Sequence, residues 1–275
     1  MPILPDSDLL KITTVKDKDQ FTRKFVLEPL SPGYGLTIGH ALRRVLLSSL
    51  TGAAINSVEI DGVSHEFSTI AGVKEDVIEM ILNLKQIRFK LHGDEPTAIK
   101  LEKKGPGVVK AGDFAKNSLV EVINPEMQIA TLDKNGKLVL KANIKKGRGY
   151  EPVERRKDEK IPLGTIAIDS IYTPVKKIHY AVENTRVGGM TNYDKVTFEI
   201  TTDGTITPEE AFNTANQILI EHFNLISDRF NVKKESKKNQ SEVTEKEEKK
   251  TAKSTKTTVS KKKESSIAKN KKAKK

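Results

Sequence analysis

Five histidines, His40, His65, His92, His179 and His222, are the first residues to consider for metal or acid–base chemistry. None pairs with another at metal-ligand spacing, and a chain without cysteine has no thiolate to complete a set. His65-Glu66 is not the start of a zinc-protease helix, because Thr69 stands where the second histidine belongs. Phosphate loops need glycines that run into Lys-Ser or Lys-Thr. Lys104-Gly105-Pro106-Gly107 and Lys146-Gly147-Arg148-Gly149 lack that order. Glu75, Asp76 and Glu79 fit one helix face, yet acidic residues in a first turn are ordinary partners of the helix dipole. General acids are plentiful and convergent groups are absent, so no catalytic, metal or cofactor residue is assigned.

The elements that carry these residues look built for other proteins. A helix is expected over Leu36 to Leu50, with Ile38, Ala41, Leu42, Val45, Leu46 and Ser49 at spacings of three and four. Leu36, Leu47 and Leu50 widen the apolar sector beyond one core contact, as in a helix covered from two sides. Arg43 and Arg44 interrupt it. They read either as a solvated basic face or, Arg44 above all, as a contact to a partner protein. A later helix opens on Thr207-Pro208-Glu209-Glu210, a cap, a first-turn proline and a capping box. Phe212, Ala215, Leu219, His222 or Phe223, and Ile226 then form a seam that fits the chain's own sheet or a symmetry mate. Two helices with surplus apolar surface favour a dimer.

Charge is divided unevenly. The formal net charge of the 275 residues is +11, but 231–275 holds 17 lysines against 6 glutamates, leaving 31 basic and 31 acidic residues in 1–230. That Lys-rich tail has Val232, Val243, Val259 and Ile267 as its only larger apolar residues, and it is expected to be disordered. It reads as a solubilising extension or as a weak, salt-sensitive contact to nucleic-acid phosphates. No signal peptide and no apolar run of about 18 residues is present, so no membrane span is expected. The lack of cysteine fits a reducing, cytoplasmic setting.

The rest of the body reads as strands: Lys11–Val15, Phe21–Leu27, Ala54–Ile60, Ala98–Glu102, Leu119–Ile123, Gln128–Leu132, Lys137–Ile144, Thr165–Asp169, Ile178–Arg186 and Lys195–Thr201. Asp133-Lys134-Asn135-Gly136 is expected to close a hairpin, with Asn-Gly at positive φ. A helix is expected around Val73 to Leu84, and Glu151–Lys160 as an exposed loop. The class is α+β.

Several ordered motifs resemble the N-terminal domain of the bacterial RNA polymerase alpha subunit. They are Leu27-Glu28-Pro29-Leu30 with Gly33-Tyr34-Gly35, Gly39 and Leu42-Arg43-Arg44-Val45-Leu46-Leu47-Ser48-Ser49, then Ile60-Asp61-Gly62-Val63, His65-Glu66-Phe67-Ser68-Thr69 and Gly72-Val73-Lys74-Glu75-Asp76. Gly147-Arg148-Gly149-Tyr150, Thr173-Pro174-Val175, Val182-Glu183-Asn184-Thr185-Arg186-Val187, Asp194-Lys195 and the run Asp203 to Ala211 follow in the same order. The resemblance covers most of 8–230.

It implies a non-catalytic subunit of a DNA-directed nucleotidyltransferase: a homodimeric scaffold that nucleates assembly of the beta and beta-prime subunits for transcription. It also implies a dimerisation subdomain of sheet plus helices, 1–52 with 176–230, and a mostly β inserted subdomain, 53–175. The helices 36–50 and 208–227 would make the dimer interface through Tyr34, Ile38, Leu42, Val45, Leu46, Ser49, Phe212, Ala215, Leu219 and Phe223. The beta and beta-prime contacts would use His40, Arg43, Arg44, Leu47, Ser48, His65, Glu66, Phe67, Ser68, Arg148, Tyr172, Pro174 and Lys176. The setting implied is a bacterial cytoplasm near the nucleoid, with DNA met indirectly or weakly through the tail.

Two departures stand out. His40 occupies a position that is usually asparagine in the family, and the Lys-rich tail lies where a compact C-terminal DNA-binding domain is usual. Other readings are a heterodimeric subunit of the archaeal type, a basic nucleic-acid-binding protein acting alone, and a stand-alone enzyme. The neutral body weighs against the second and the lack of convergent groups against the last.

Overall fold

Alternation of apolar and polar residues, broken by glycine turns, drives most of this chain into antiparallel strands. The computed structural model describes residues 10–16, 19–156, 162 and 164–230. In order, the elements are β1 (Lys11–Lys16), β2 (Thr22–Leu30), α1 (Tyr34–Ser48), β3 (Thr51–Ile60), α2 (Val77–Leu84), β4 (Phe89–Leu91), β5 (Thr97–Lys104), β6 (Gly107–Lys110), β7 (Val120–Val122) and β8 (Gln128–Leu132). Then come β9 (Lys137–Arg148), β10 (Tyr150–Glu151), β11 (Thr165–Ala167), β12 (Ser170–Ile171), β13 (Val175–Val187) and β14 (Met190–Thr202). A third helix, α3, covers 208–219. The architecture is α+β, as expected.

Two hydrophobic cores form. The first lies on a four-stranded antiparallel sheet ordered β1-β2-β14-β13. One sheet face buries Phe25, Leu27, Val196, Phe198, Ile200 and Ile178, while the other is polar, with Lys24 facing Glu199 at 3.6 Å and Lys195 facing Glu183 at 3.4 Å. Phe198 sits opposite Phe25 on one side and Tyr180 on the other. Phe212 of α3 covers that row, stacked on Phe25 at 4.9 Å and edge-on to Phe198 at 5.6 Å. The capping box at the start of α3 is present: Glu210 N–H donates to Thr207 Oγ1 at 3.2 Å and Thr207 N–H to Glu210 Oε2 at 3.0 Å.

α1 packs Leu42 and Leu46 into the same core. Two glycines bring it close to the sheet, since a Cβ at Gly39 would lie 2.6 Å from the Tyr180 ring and one at Gly35 2.8 Å from Val182. Its N-terminus has no local side-chain cap. Instead Gly35 N–H donates to the buried Asp194, at 2.8 Å, from the far strand β14.

The second core, from Ile55 to Ile168, is enclosed by a six-stranded sheet with the path β5-β9-β3-β4-β7 and β11 beside β3. α2 buries Val77, Met80, Ile81 and Leu84 against it. Asp76 caps α2 through Glu79 N–H at 2.7 Å, so the helix begins four residues later than Val73. The preceding residues are tied to β8 instead: Lys74 N–H donates to Thr131 O, and Glu75 accepts from Thr131 N–H at 2.6 Å and Oγ1 at 2.9 Å.

Other expectations are corrected. Asp133–Gly136 is a turn closed by Gly136 N–H to Asp133 O at 2.9 Å, but β8 and β9 do not pair. β8 joins β6, while β9 lies between β3 and β5. Neither Asn135 nor Gly136 has positive φ. Gly136 is required by close approach, because a Cβ there would lie 2.2 Å from Gly72 O. Within Glu151–Lys160, residues 151–156 are not loose: β10 pairs with β12, Val153–Arg156 forms a 3-10 turn and Arg156 is buried. Residues 157–160 lie outside the described residues, as does the Lys-rich tail. The short β4, β6, β10 and β12 had no expected counterpart.

The described part of a second unit, residues 220–230, is helical and exposes Ile220, Phe223, Leu225, Ile226 and Phe230. Among the described residues no helix is long and apolar enough to cross a membrane.

Candidate protein-protein interface

α1 divides its residues between two directions. Leu42, only 1 % exposed, and Leu46 point into the chain's own core. Leu36, 62 % exposed, shares an outward stripe with His40, Arg43 and Leu47, at helical spacings of four, three and four. Arg44 and Ser48 lie beside it, Ser48 Oγ donating to Arg44 O at 2.8 Å. Among the described residues neither arginine has an ion-pair partner. Tyr34 is exposed on the first turn, while Ile38, Val45 and Ser49 are half-buried along the flank.

The C-terminal end of α1 meets the Gly147-Arg148-Gly149-Tyr150 motif. β3 follows the helix directly, and Thr51 and Gly52 pair with Arg148 and Gly147. A Cβ at Gly149 would lie 3.4 Å from Ser48 O. Gly149 O accepts from Tyr172 N–H at 2.8 Å, and Tyr150 pairs with Ile171. Arg148, Tyr150, Ile171 and Lys176 are exposed. Tyr172 and Pro174 are buried, with Tyr172 Oη donating to Glu151 Oε2 at 3.0 Å, so these two support the surface without being part of it.

A third patch is the loop before α2. His65, Glu66 and Phe67 are exposed, Phe67 to 76 %, and Ser68 is half-buried. Ser68 Oγ donates to His65 O at 2.6 Å, and Ser68 O accepts from Val77 N–H at 3.3 Å at the start of α2. An apolar ring held out on a pinned loop has the form of an interface anchor.

The expected dimer residues fall into two sets. Leu42, Leu46, Phe212 and Ala215 are consumed inside the chain, so they cannot themselves meet another molecule. Leu219 is half-buried and Phe223 is 66 % exposed. Sequence reasoning left Leu36 and Phe230 outside the named contact residues, whereas Tyr150 and Ile171 lie in segments, 147–150 and 171–177, that the resemblance marks as subunit-facing. For Leu36 the signal was its position off the buried face of α1, four residues before His40.

Among the described residues no cluster of three or more His, Asp or Glu is placed to hold a metal ion. A hollow of about 460 Å³ contains the His92–Glu121 pair at 3.6 Å, but both side chains are half or more exposed. The features are those of a surface, with a pinned apolar anchor and arginines that have no ion-pair partner among the described residues.

The inserted β-rich part defines the class: residues 58–173 match the RNA polymerase Rpb3/RpoA insert domain. DNA-directed RNA polymerase subunit alpha from Symbiobacterium thermophilum is 51 % identical over 213 residues, covering 78 % of this chain and 68 % of that protein. The subunit of the same description from Alkaliphilus metalliredigens is 55 % identical over 202 residues, and that from Moorella thermoacetica 53 %, each covering 74 % of this chain and 64 % of the relative. The chain belongs to the bacterial DNA-directed RNA polymerase alpha subunit family. It spans about two thirds of the length of these relatives.

Proposed function

We propose that the chain is the non-catalytic assembly subunit of a DNA-directed RNA polymerase, pairing with a second copy and recruiting the beta and beta-prime subunits. The observation that carries this is the two-sided use of α1. Its inner face is filled by the chain's own core, yet Leu36 and Leu47 remain exposed outside, beside arginines without ion-pair partners among the described residues. Exposed Phe223, Ile226 and Phe230 add apolar surface of the kind that specific interfaces bury. The copy–copy contact is assigned to Tyr34, Ile38, Val45, Leu219 and Phe223. The large subunits are assigned to His40, Arg43, Arg44, Phe67 and Arg148. Dimerisation is tested by light scattering after gel filtration of the full chain. A particle of twice 30.6 kDa supports the reading, and a monomer moves the heterodimeric alternative to first place. Recruitment is tested by co-purification with beta and beta-prime.

The Lys-rich segment favours one addition. Its surplus of lysine over glutamate suits weak contact with DNA phosphates near the enzyme. Equal DNA affinity at low salt with and without 231–275 would remove this role.

A further inference from the structure

We propose that Arg88 and the turn Asp203–Thr205 form a clamp that fixes the six-stranded half of the chain against the four-stranded half. The two halves join through two neighbouring crossings, Leu50–Thr51 and Thr173–Val175. These crossings touch: a Cβ at Gly52 would lie 1.8 Å from Tyr172 O. Two adjacent strands of backbone make a pivot and leave rotation about it to be settled by other contacts.

The turn before α3 supplies them. Asp203 N–H donates to Pro174 O at 2.9 Å, anchoring the turn on the second crossing. Asp203 Oδ1 accepts from Thr205 N–H at 3.0 Å and Oγ1 at 2.6 Å, which leaves Oδ2 to face Arg88 Nε at 3.9 Å. The Asp203 side chain is only 5 % exposed, so solvent screens the pair weakly. Arg88 is itself fixed. Its N–H donates to Asn124 Oδ1 at 2.8 Å, and its carbonyl accepts from Ile123 N–H at 2.9 Å. Gly204 completes the clamp with φ +96°, and a Cβ there would lie 3.0 Å from Phe21 and 3.1 Å from Ile123, one in each half. Beside the turn lies a cleft of about 180 Å³ between Thr51, Phe89, Lys90, Thr205 and Ile206, space into which an unclamped half can rotate.

The clamp matters because the partner-facing surface spans both halves, with Arg44 on one and Phe67 and Arg148 on the other. That consequence rests on the function proposed above, whereas the clamp itself does not.

The test uses the full chain, whose lack of cysteine allows labelling at two introduced sites, Lys134→Cys and Asn184→Cys, both exposed and one in each half. Spin-labelled chain diluted with unlabelled chain reports the distance within one molecule. The parent is expected to give a single narrow distance, and Arg88→Ala and Asp203→Asn to add a second one. Asp203→Asn keeps an oxygen for both Thr205 donors, so it decides the matter alone if Arg88→Ala fails to fold. An unchanged single distance in Asp203→Asn overturns the clamp. Capture of beta by the unaltered chain is read separately, and its loss would sink the assembly role without touching the clamp.

Discussion

The ring of Tyr172 lies so close to the backbone of Gly147 that a Cβ added there would come within 2.5 Å of it. This contact explains the first glycine of Gly147-Arg148-Gly149-Tyr150. The strand ends flat against a buried aromatic, then turns through Gly149 at φ +64° and leaves Arg148 outside. Gly147→Ala is expected to destabilise the chain by about 1–3 kcal/mol, the usual cost of overpacking. The paired Gly52 is equally confined by Tyr172 O, so the strands cannot shift to relieve the clash. A lower urea midpoint with an unchanged slope would verify this.

Charged substitutions should separate the two faces of the helices. Leu42→Asp places an unpaired charge in the first core, a change that costs several kcal/mol and should leave the chain unfolded by circular dichroism. Phe223→Asp starts from an exposed ring and should keep the melting profile while converting the scattering mass from dimer to monomer. Arg44→Ala should change stability by less than about 0.5 kcal/mol, keep the dimer and lose capture of beta. An Arg44→Ala protein that is monomeric but still binds beta would reverse the face assignment.

How far the sequence disclosed this molecule depended on the range of the interaction. The Thr207–Glu210 box is made within one turn and was legible, as was Lys137–Ile144, whose alternation outlasts any local ambiguity. Asp194 capping α1 was not, because Gly35 and Asp194 are separated by 159 positions. The turn at Asp133–Gly136 was visible, but tertiary pairing decided the sheets in which its flanking strands lie. Periodicity marked Leu42 and Phe212 as buried without saying what buries them. Only the fold showed that the chain does so itself. Among the proposed contact residues, Arg44 was singled out by the helix pattern and Phe67 by the motif resemblance, whereas Leu36 needed the observed exposure.

Arg156 should be the costliest charged residue to remove. It is buried, and its guanidinium donates to Asn56 O at 2.9 Å through Nη1 and to Ile168 O through Nη2, pinning the Val153–Arg156 turn to β3 and to the end of β11. Arg156→Ala is expected to cost about 3 kcal/mol by combining lost charge-assisted hydrogen bonds with a cavity. Arg156→Lys should rescue little, because a single ammonium does not reproduce the planar fork. Urea titration of the three proteins gives the comparison. Near-parental stability of Arg156→Lys would show that charge alone suffices.

Asp169 makes acid stability a test of the same region. A hydrogen bond from Val153 N–H, then the contacts of Lys85 and Tyr150, hold its carboxyl below the ordinary aspartate range despite partial burial. A carboxyl depressed in the folded state binds its proton more readily in the unfolded chain. Its stabilisation is therefore fully present above the unfolded value of about 3.9 and fades as pH falls through the lower folded value. Asp169→Asn should thus be less stable than the parent at neutral pH, and the gap should close on acidification below about pH 4. Lys85→Met should reproduce part of the effect, since it removes the charge but leaves the Val153 hydrogen bond. Urea midpoints of the three proteins between neutral and acid pH decide it: a gap that stays constant would mean Asp169 contributes through shape rather than charge.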